Sequence, residues 1–279
     1  EIRMSKDIPD DLVVELNYAD AIEGQYSKPI IGTEESVKSF TSEMIRKYYR
    51  ERYTKDNIVI SVSGNFNKEE VIEKINKYFN NLEEKKIDRR NKIDFAFKGG
   101  KSTHNKDINQ VNICITHEGV SYMDENKIYS DIFVSIMGGS MSSRLFQEIR
   151  EKSGLAYSVY SYNQYYKEGG LISTYIGTNK ESYEKAIEIT LNEFKKIREE
   201  GIKETELQKS KNKYMSRIAF SMENPRSRMT ILGSHYVKKG KIIDIEKLKD
   251  EVRNVKLEEI NDYIKSHYSS ENITVLGNV

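Results

Sequence analysis

The feature that most constrains the fold of this chain is that one stretch of it occurs twice. Tyr53-Thr-Lys-Asp-Asn57-Ile-Val-Ile-Ser-Val-Ser-Gly64-Asn65-Phe66 and Tyr268-Ser-Ser-Glu-Asn272-Ile-Thr-Val-Leu-Gly277-Asn278-Val279 align by eye, with their tyrosines 215 positions apart. Between Asn and Gly the copies differ by two residues, which preserves the face of a strand that each side chain occupies. An amphipathic helix precedes each copy, carrying Glu43, Ile45 and Tyr48 in one and Glu258, Ile260 and Tyr263 in the other. Helix, turn and strand therefore recur in the same order. A period this long marks a duplicated domain, since solenoid units repeat at roughly 20 to 50 residues.

The duplication sets the domain plan. About 170 residues run from a domain start near Phe95 to Tyr268, an ordinary domain size. Only 52 residues precede Tyr53, so on the order of 120 residues are expected upstream if the copies match in length. With Glu1 rather than methionine in first place, the beginning is expected not to be a translational start. Residues 1–83 read as the C-terminal part of a first domain and residues 101–279 as a complete second one. Residues 84–100, dense in Lys, Glu, Asp and Arg and ending in Gly99-Gly100, suit a solvated linker. The expected fold class is α+β: tandem duplicated domains, each a mixed or largely antiparallel sheet with helices packed on one face, the first incomplete.

Local patterns fill in the plan. Pro9 marks a helix start, and Pro29 with Gly32 marks a loop. Helices are predicted over about 34–52 and 67–80, with a strand at 57–64 between them. In the second domain Gln110-Val-Asn-Ile-Cys-Ile-Thr alternates apolar and polar residues and predicts a strand with one wet or less buried face. Helices at about 124–137 and 141–152 lead to strands near 155–163 and 169–176. Helices follow over 179–200, from Glu204 to about Phe220, from Pro225, and at about 244–252 and 256–267.

Charge and cysteine content remove several function classes. Lys and Arg number 45 and Asp and Glu 44, a balance that gives no basis for binding nucleic acid. The mixed charges read as solvated helix faces. Cys114 is the single cysteine, which excludes an internal disulfide framework and fits a reducing, cytoplasmic setting. No run approaches the roughly 18 apolar residues of a membrane span, so no membrane association is expected.

Chemistry concentrates in one segment, Gly138-Gly139-Ser-Met-Ser-Ser-Arg144-Leu-Phe-Gln-Glu-Ile-Arg150-Glu-Lys-Ser-Gly154-Leu-Ala-Tyr157-Ser-Val-Tyr-Ser161. It reads as a glycine turn, a short helix with Leu145, Phe146 and Ile149 as its apolar stripe, a glycine stop and a strand. Taken singly, Arg150 suits a helix C-terminus and its dipole, and Tyr157 suits a sheet. As a whole the segment resembles the R/Y signature in the C-terminal half of the insulinase (pitrilysin, mitochondrial processing peptidase-like) family of zinc peptidases. Arg150 and Tyr157, seven apart, match that pair, which the resemblance places across a cleft from zinc, holding the substrate backbone. Pro29-Ile30-Ile31-Gly32-Thr33 resembles the family's Pro-Ile-x-Gly-Thr connection. Arg144 is the weaker candidate and suits helix packing or a salt bridge.

The family's H-x-x-E-H motif is absent here, and His104, His117, His235 and His267 lack the spacing that puts two imidazoles on one helical face. Each therefore reads as a surface or packing residue. Glu1-Ile2-Arg3-Met4-Ser5-Lys6-Asp7-Ile8-Pro9 resembles the segment that carries the family's third zinc ligand, and in this register Glu1 takes that position. The resemblance thus implies a zinc-dependent metalloendopeptidase acting on peptides or unfolded polypeptides, of which this chain supplies the substrate-holding half, inactive alone. Arg150 and Tyr157 would donate hydrogen bonds to a substrate carbonyl or its oxyanion. It also implies a homodimer or a clam-like pair of halves. The alternative is a non-catalytic peptide-binding or assembly subunit of the same family. A nucleic-acid or structural helical protein finds neither basic patch nor heptads in support.

Overall fold

Capping residues set where the helices start. The computed structural model describes residues 1–87 and 93–279; the centre of the expected linker, residues 88–92, lies outside the described residues. Behind the short α1 (Ile2–Asp7), Pro9 opens α2 (Pro9–Ala21), where its missing amide proton costs nothing. β1 (Ile22–Glu23) follows. The helix predicted over 34–52 is two helices, α3 (Glu34–Ser39) and α4 (Ser42–Arg52), because the Thr41 hydroxyl accepts the Met44 amide at 3.2 Å and starts a new helix. α5 (Lys68–Phe79) is capped the same way by Asn67. Beyond it lie β2 (Ala96–Phe97), antiparallel to β1, then β3 (Gly100–Asn105) and β4 (Val111–Gly119).

α6 (Lys127–Met137) leads through the Gly138-Gly139 turn to a π-helix (Phe146–Lys152), and then to β5 (Ala156–Tyr165) and β6 (Gly170–Thr178). The remainder is α7 (Tyr183–Glu200), α8 (Glu204–Glu223), α9 (Pro225–Lys239), α10 (Ile245–Asn254), α11 (Leu257–Ser266) and β7 (Glu271–Gly277). Asn224 caps α9, and Gly240 ends it in the left-handed conformation.

Two compact units divide the chain: Glu1–Thr33, Lys92–Tyr214 and Glu251–Val279 form one, and Glu34–Asn91 with Met215–Asp250 the other. The first contains a five-stranded mixed sheet in the order β3-β7-β4-β6-β5, with β3 parallel to β7 and the other pairs antiparallel. One face of the sheet carries Ile113, Ile115, Ile172, Ile176 and Val275 into a core shared with Phe133 and Met137 of α6, Phe194 and Ile197 of α7, and Ile260 and Ile264 of α11. β-branched residues suit this pleated, buried surface. The fold class is thus α+β with a mixed, mostly antiparallel sheet.

The opposite face of the sheet is not wet. α2, which the duplication assigns to the first domain, lies across β4 and β7 and buries Cys114, Tyr175 and Leu276 against Val13. Polar residues that alternation marks as solvent-facing satisfy one another here instead. Asn17 of α2, fully buried, donates to the Cys114 carbonyl (3.3 Å), Asn272 (3.2 Å) and Thr274 (3.2 Å), and accepts from Thr116 at 2.5 Å. Alternation reports polarity, and a helix that supplies matching polar groups can cover a polar face.

In the second unit the strand expected over 57–64 is not formed. Residues 58–63 follow a 3₁₀ turn (Lys55–Asn57) and have no ladder partner among the described residues, so Val59, Ile60 and Val62 remain exposed. A strand exists only through its neighbours. The segment is held instead by a bond from the Ser61 hydroxyl to the Met229 carbonyl (2.9 Å) on α9. Among the described residues no helix is long and apolar enough to cross a membrane.

Candidate functional site

The R/Y segment begins with a turn that only glycine can make. A side chain at Gly138 would lie 2.3 Å from the Ser161 hydroxyl and 2.5 Å from its nitrogen, because the turn presses onto β5, where the Ser161 amide donates to the Gly138 carbonyl at 3.1 Å. Helix follows, with Leu145 and Ile149 fully buried beneath it. Its last part is wound as a π-helix, a form often found at functional sites, and Gly154 at φ +62° ends it. Two bonds close that end, from Gly154 N to Arg150 O (3.2 Å) and from Leu155 N to Ile149 O (2.9 Å), and they fix the short connection that leads into β5 at Ala156.

Arg144 and Arg150 have opposite surroundings. Arg144 makes a two-pronged pair with Glu206 (Nε–Oε1 2.7 Å, Nη2–Oε2 2.8 Å) and also donates to the Gly201 carbonyl at 3.2 Å. Burial works against the Glu206 charge, but the Arg144 bond and the Lys203 amide outweigh it and hold the carboxyl below its ordinary range. Arg144 therefore fastens the helix start to α8. Arg150 is exposed and has no hydrogen-bond or ion-pair partner among the described residues; its guanidinium sits 5.1 Å from the centre of the Phe146 ring. Glu148, two residues away, is taken by Lys152 at 2.6 Å.

Tyr157 owes its position to a β-bulge. Ala156 pairs with Thr178 and Ser158 with Gly177, so Tyr157 is the extra residue between them, and it is 65% exposed. Bulges re-aim side chains in this way. The structure thus places Arg150 and Tyr157 on two adjoining elements, both exposed and with no side-chain hydrogen-bond partner among the described residues.

A polar cavity of about 90 Å³ lies beside the glycine turn, lined by Ser140, Ser142, Ser143, Glu206, Lys209 and Lys213 among others. It is far smaller than the 300 Å³ or more of a typical ligand pocket.

Each histidine lies against a protein group. His104 Nε2 lies 3.1 Å from Asp20, His235 Nδ1 2.7 Å from the Lys241 carbonyl, and His267 Nδ1 2.7 Å from the Tyr263 carbonyl. His117 is buried, stacked on Phe194 at 4.1 Å, and its Nδ1 lies 3.0 Å from the Ser270 carbonyl. Since a carbonyl only accepts, Nδ1 carries the proton of the neutral ring. Burial pushes the imidazole down to about 4, a shift the Ser270 bond opposes and the Arg198 charge reinforces. Glu1 is exposed ahead of α1, and its side chain caps nothing. Among the described residues no group of three or more His, Cys, Asp or Glu could hold a metal ion. The residues present therefore do not fit a zinc ion by themselves.

Three parts of the site were not read from sequence: the π-winding, the bulge at Tyr157, and the ring under Arg150. Only the last left a signal, the spacing of four between Phe146 and Arg150 that brings side chains together on a helix; Phe146 reads first as part of the apolar stripe.

Comparison with known proteins adds a family. A family model described as the peptidase M16 inactive domain matches residues 39–214. The uncharacterized zinc protease YmxG of Bacillus subtilis (strain 168) is 34% identical over 275 residues, covering 97% of this chain and 66% of the relative. An uncharacterized zinc protease of Rickettsia bellii (strain RML369-C) is 32% identical over 272 residues, covering 97% of this chain and 65% of the relative. The chain thus spans slightly less than two thirds of the length of either relative. The crystal structure of a peptidase M16 inactive domain from Pseudomonas fluorescens superposes with a TM-score of 0.87 at 18% identity, over 99% of this chain and 68% of the other. A protease from Helicobacter pylori does so with a TM-score of 0.86 at 17% identity, over 98% and 68%. At such identities the likeness is one of fold.

Proposed function

Because this chain belongs to the peptidase M16 inactive-domain family, we propose that it is the substrate-holding part of a zinc-dependent metalloendopeptidase that hydrolyses peptides or small proteins. One observation carries this reading: Arg150 and Tyr157 stand exposed, without partners among the described residues, on two consecutive, adjoining elements, while Arg144 is consumed by Glu206. A peptide backbone offers carbonyls to such donors, whatever its side chains.

Zinc in this reading belongs to the intact protein. Its ligands would come mostly from chain outside these 279 residues, with Glu1 at the third ligand position, and no step of hydrolysis is assigned to the residues present. Residues 1–83 would complete a first domain with that outside chain, and residues 101–279 would stand as the second. The substrate is a peptide or unfolded polypeptide, the working form a homodimer or a clam-like pair of halves, and neither nucleic acid nor membrane is a partner.

The test is peptide turnover by the full-length protein carrying Arg150→Ala or Tyr157→Phe. Each should lower kcat/KM, on the order of a hundredfold where the lost donor serves an oxyanion. Unchanged turnover in both would refute their role. This chain alone should neither hydrolyse peptides nor retain zinc through dialysis, and hydrolysis by it would overturn the division of labour.

A second reading, a non-catalytic peptide-binding or assembly subunit, draws on the description of the matching family model as an inactive domain. Zinc content of the full-length protein separates the two: about one ion per chain supports the peptidase, and none supports the subunit.

A further inference from the structure

An arginine that is to grip a substrate faces two opposed requirements. It must be held still, since a free side chain of this length loses much rotamer entropy on binding, and it must keep its charge and donors unspent. A carboxylate neighbour meets the first requirement and defeats the second, as Arg144 shows with Glu206. We infer that Phe146 is a positioning residue for Arg150, an aromatic shelf that orients the guanidinium toward substrate without occupying its hydrogen bonds. The inference rests on the role proposed for Arg150 above.

The geometry of the π-helix supports it from several sides. Phe146 is partly buried against the main core, whose members include its neighbour Leu145 and Ile149 three residues on, so its ring is fixed from below. The Arg150 guanidinium lies 5.1 Å from the ring centre, within the roughly 6 Å over which the negative face of a ring attracts a cation. A π-helix turns once in somewhat more than four residues, so side chains four apart nearly superpose. The acid that could compete, Glu148, is neutralised by Lys152, and the Glu148 carbonyl accepts from Ser153 at 2.6 Å, which keeps that turn in place. A ring face attracts the cation but accepts no strong hydrogen bond, so the five N–H donors of Arg150 stay available.

Full-length protein with a peptide substrate provides the test, through a double-mutant cycle. Phe146→Leu keeps an apolar side chain on the core and removes the ring; it should lower kcat/KM about two- to five-fold, the strength of an exposed cation–ring contact, in whichever of kcat or KM Arg150→Ala also moves. Phe146→Tyr, which keeps the ring, should restore wild-type values. Added to Arg150→Ala, Phe146→Leu should cause no further loss, because the shelf would have nothing left to hold. Additive losses, or a Phe146→Tyr variant as impaired as Phe146→Leu, would overturn the inference. A second measurement is independent of folding defects in Phe146→Leu: in NMR spectra of the unaltered full-length protein, the Arg150 Nε–H proton should be displaced upfield by the ring, and an undisplaced resonance counts against the shelf. If Arg150→Ala itself leaves turnover unchanged, the role of Arg150 fails, a result distinct from additive losses on an impaired Arg150→Ala background.

Discussion

The two copies of the repeated segment share a sequence pattern and almost nothing else. In the second copy β7 has a neighbour on each side, and Ile273, Val275 and Leu276 are buried. In the first, residues 58–63 have no strand beside them among the described residues, and Val59, Ile60 and Val62 face solvent. The leading tyrosines diverge in the same way. Tyr268 is 4% exposed, stacks on Phe133 at 4.3 Å and donates to the Tyr263 hydroxyl at 2.7 Å. Tyr53 is 51% exposed and, among the described residues, stacks only on Tyr49, at 4.7 Å. An alternating apolar run is therefore a capacity for strand formation, and the neighbouring strands turn that capacity into structure and stability.

The contrast can be broken most forcefully at matched isoleucines. Counting back from the two glycines, Ile60 corresponds to Ile273. Ile273→Ala should cost about 2–5 kcal/mol in denaturant unfolding, as for other buried isoleucines, whereas Ile60→Ala should stay within about 0.5 kcal/mol, as for surface positions. Equal losses would mean that the first copy is packed after all.

Acid should act on the second copy alone, through His117 and its bond to the Ser270 carbonyl; Lys55 stands in the place of Ser270 in the first copy. Above the ordinary value of 6.5 His117 is neutral in folded and unfolded protein alike, and stability does not depend on it. Below that, the unfolded chain takes up the proton while the buried ring, held down at about 4, does not. Stability should fall as pH drops from 6.5 toward 4, by on the order of 3 kcal/mol, and level off below. His117→Gln should flatten this part of the profile; an unchanged slope would assign it to other groups.

The smallest effect is expected at the tyrosines. Tyr268→Phe removes one buried hydrogen bond and should cost about 1 kcal/mol, and Tyr53→Phe should cost nothing measurable. A loss at Tyr53 would show that its hydroxyl has found a partner.

Legibility from sequence followed the range of the interactions involved. The outline of the R/Y segment was readable because each signal is local: Gly154 at the helix end, Leu145 and Ile149 at core spacing, serines before the helix. The winding of that helix was not, since Phe146, Ile149 and Arg150 suit an α-helix equally well. The covered face of β4 was hidden for a longer-range reason. Asn112, Cys114 and Thr116 alternate with isoleucines as a solvated face would, and their burial depends on distant partners: Tyr175 for Asn112, and Asn17, 97 positions from Cys114 in sequence, for Thr116 and the Cys114 carbonyl. The bulge at Tyr157 likewise depends on β6, whose register no spacing within β5 announces.

The contact between Gly138 and Ser161 also bears on the free edge of the sheet. β5 is the last strand of its sheet, and an uncovered last strand is a template onto which another chain can zip. With the Gly138 carbonyl seated on the Ser161 amide, that template is interrupted near its middle, and the bulge at Tyr157 distorts what remains toward the start of the strand. The side of the sheet that carries Tyr157 is thereby less open to edge-to-edge pairing, and the interruption comes from the backbone of a glycine turn rather than from charged side chains.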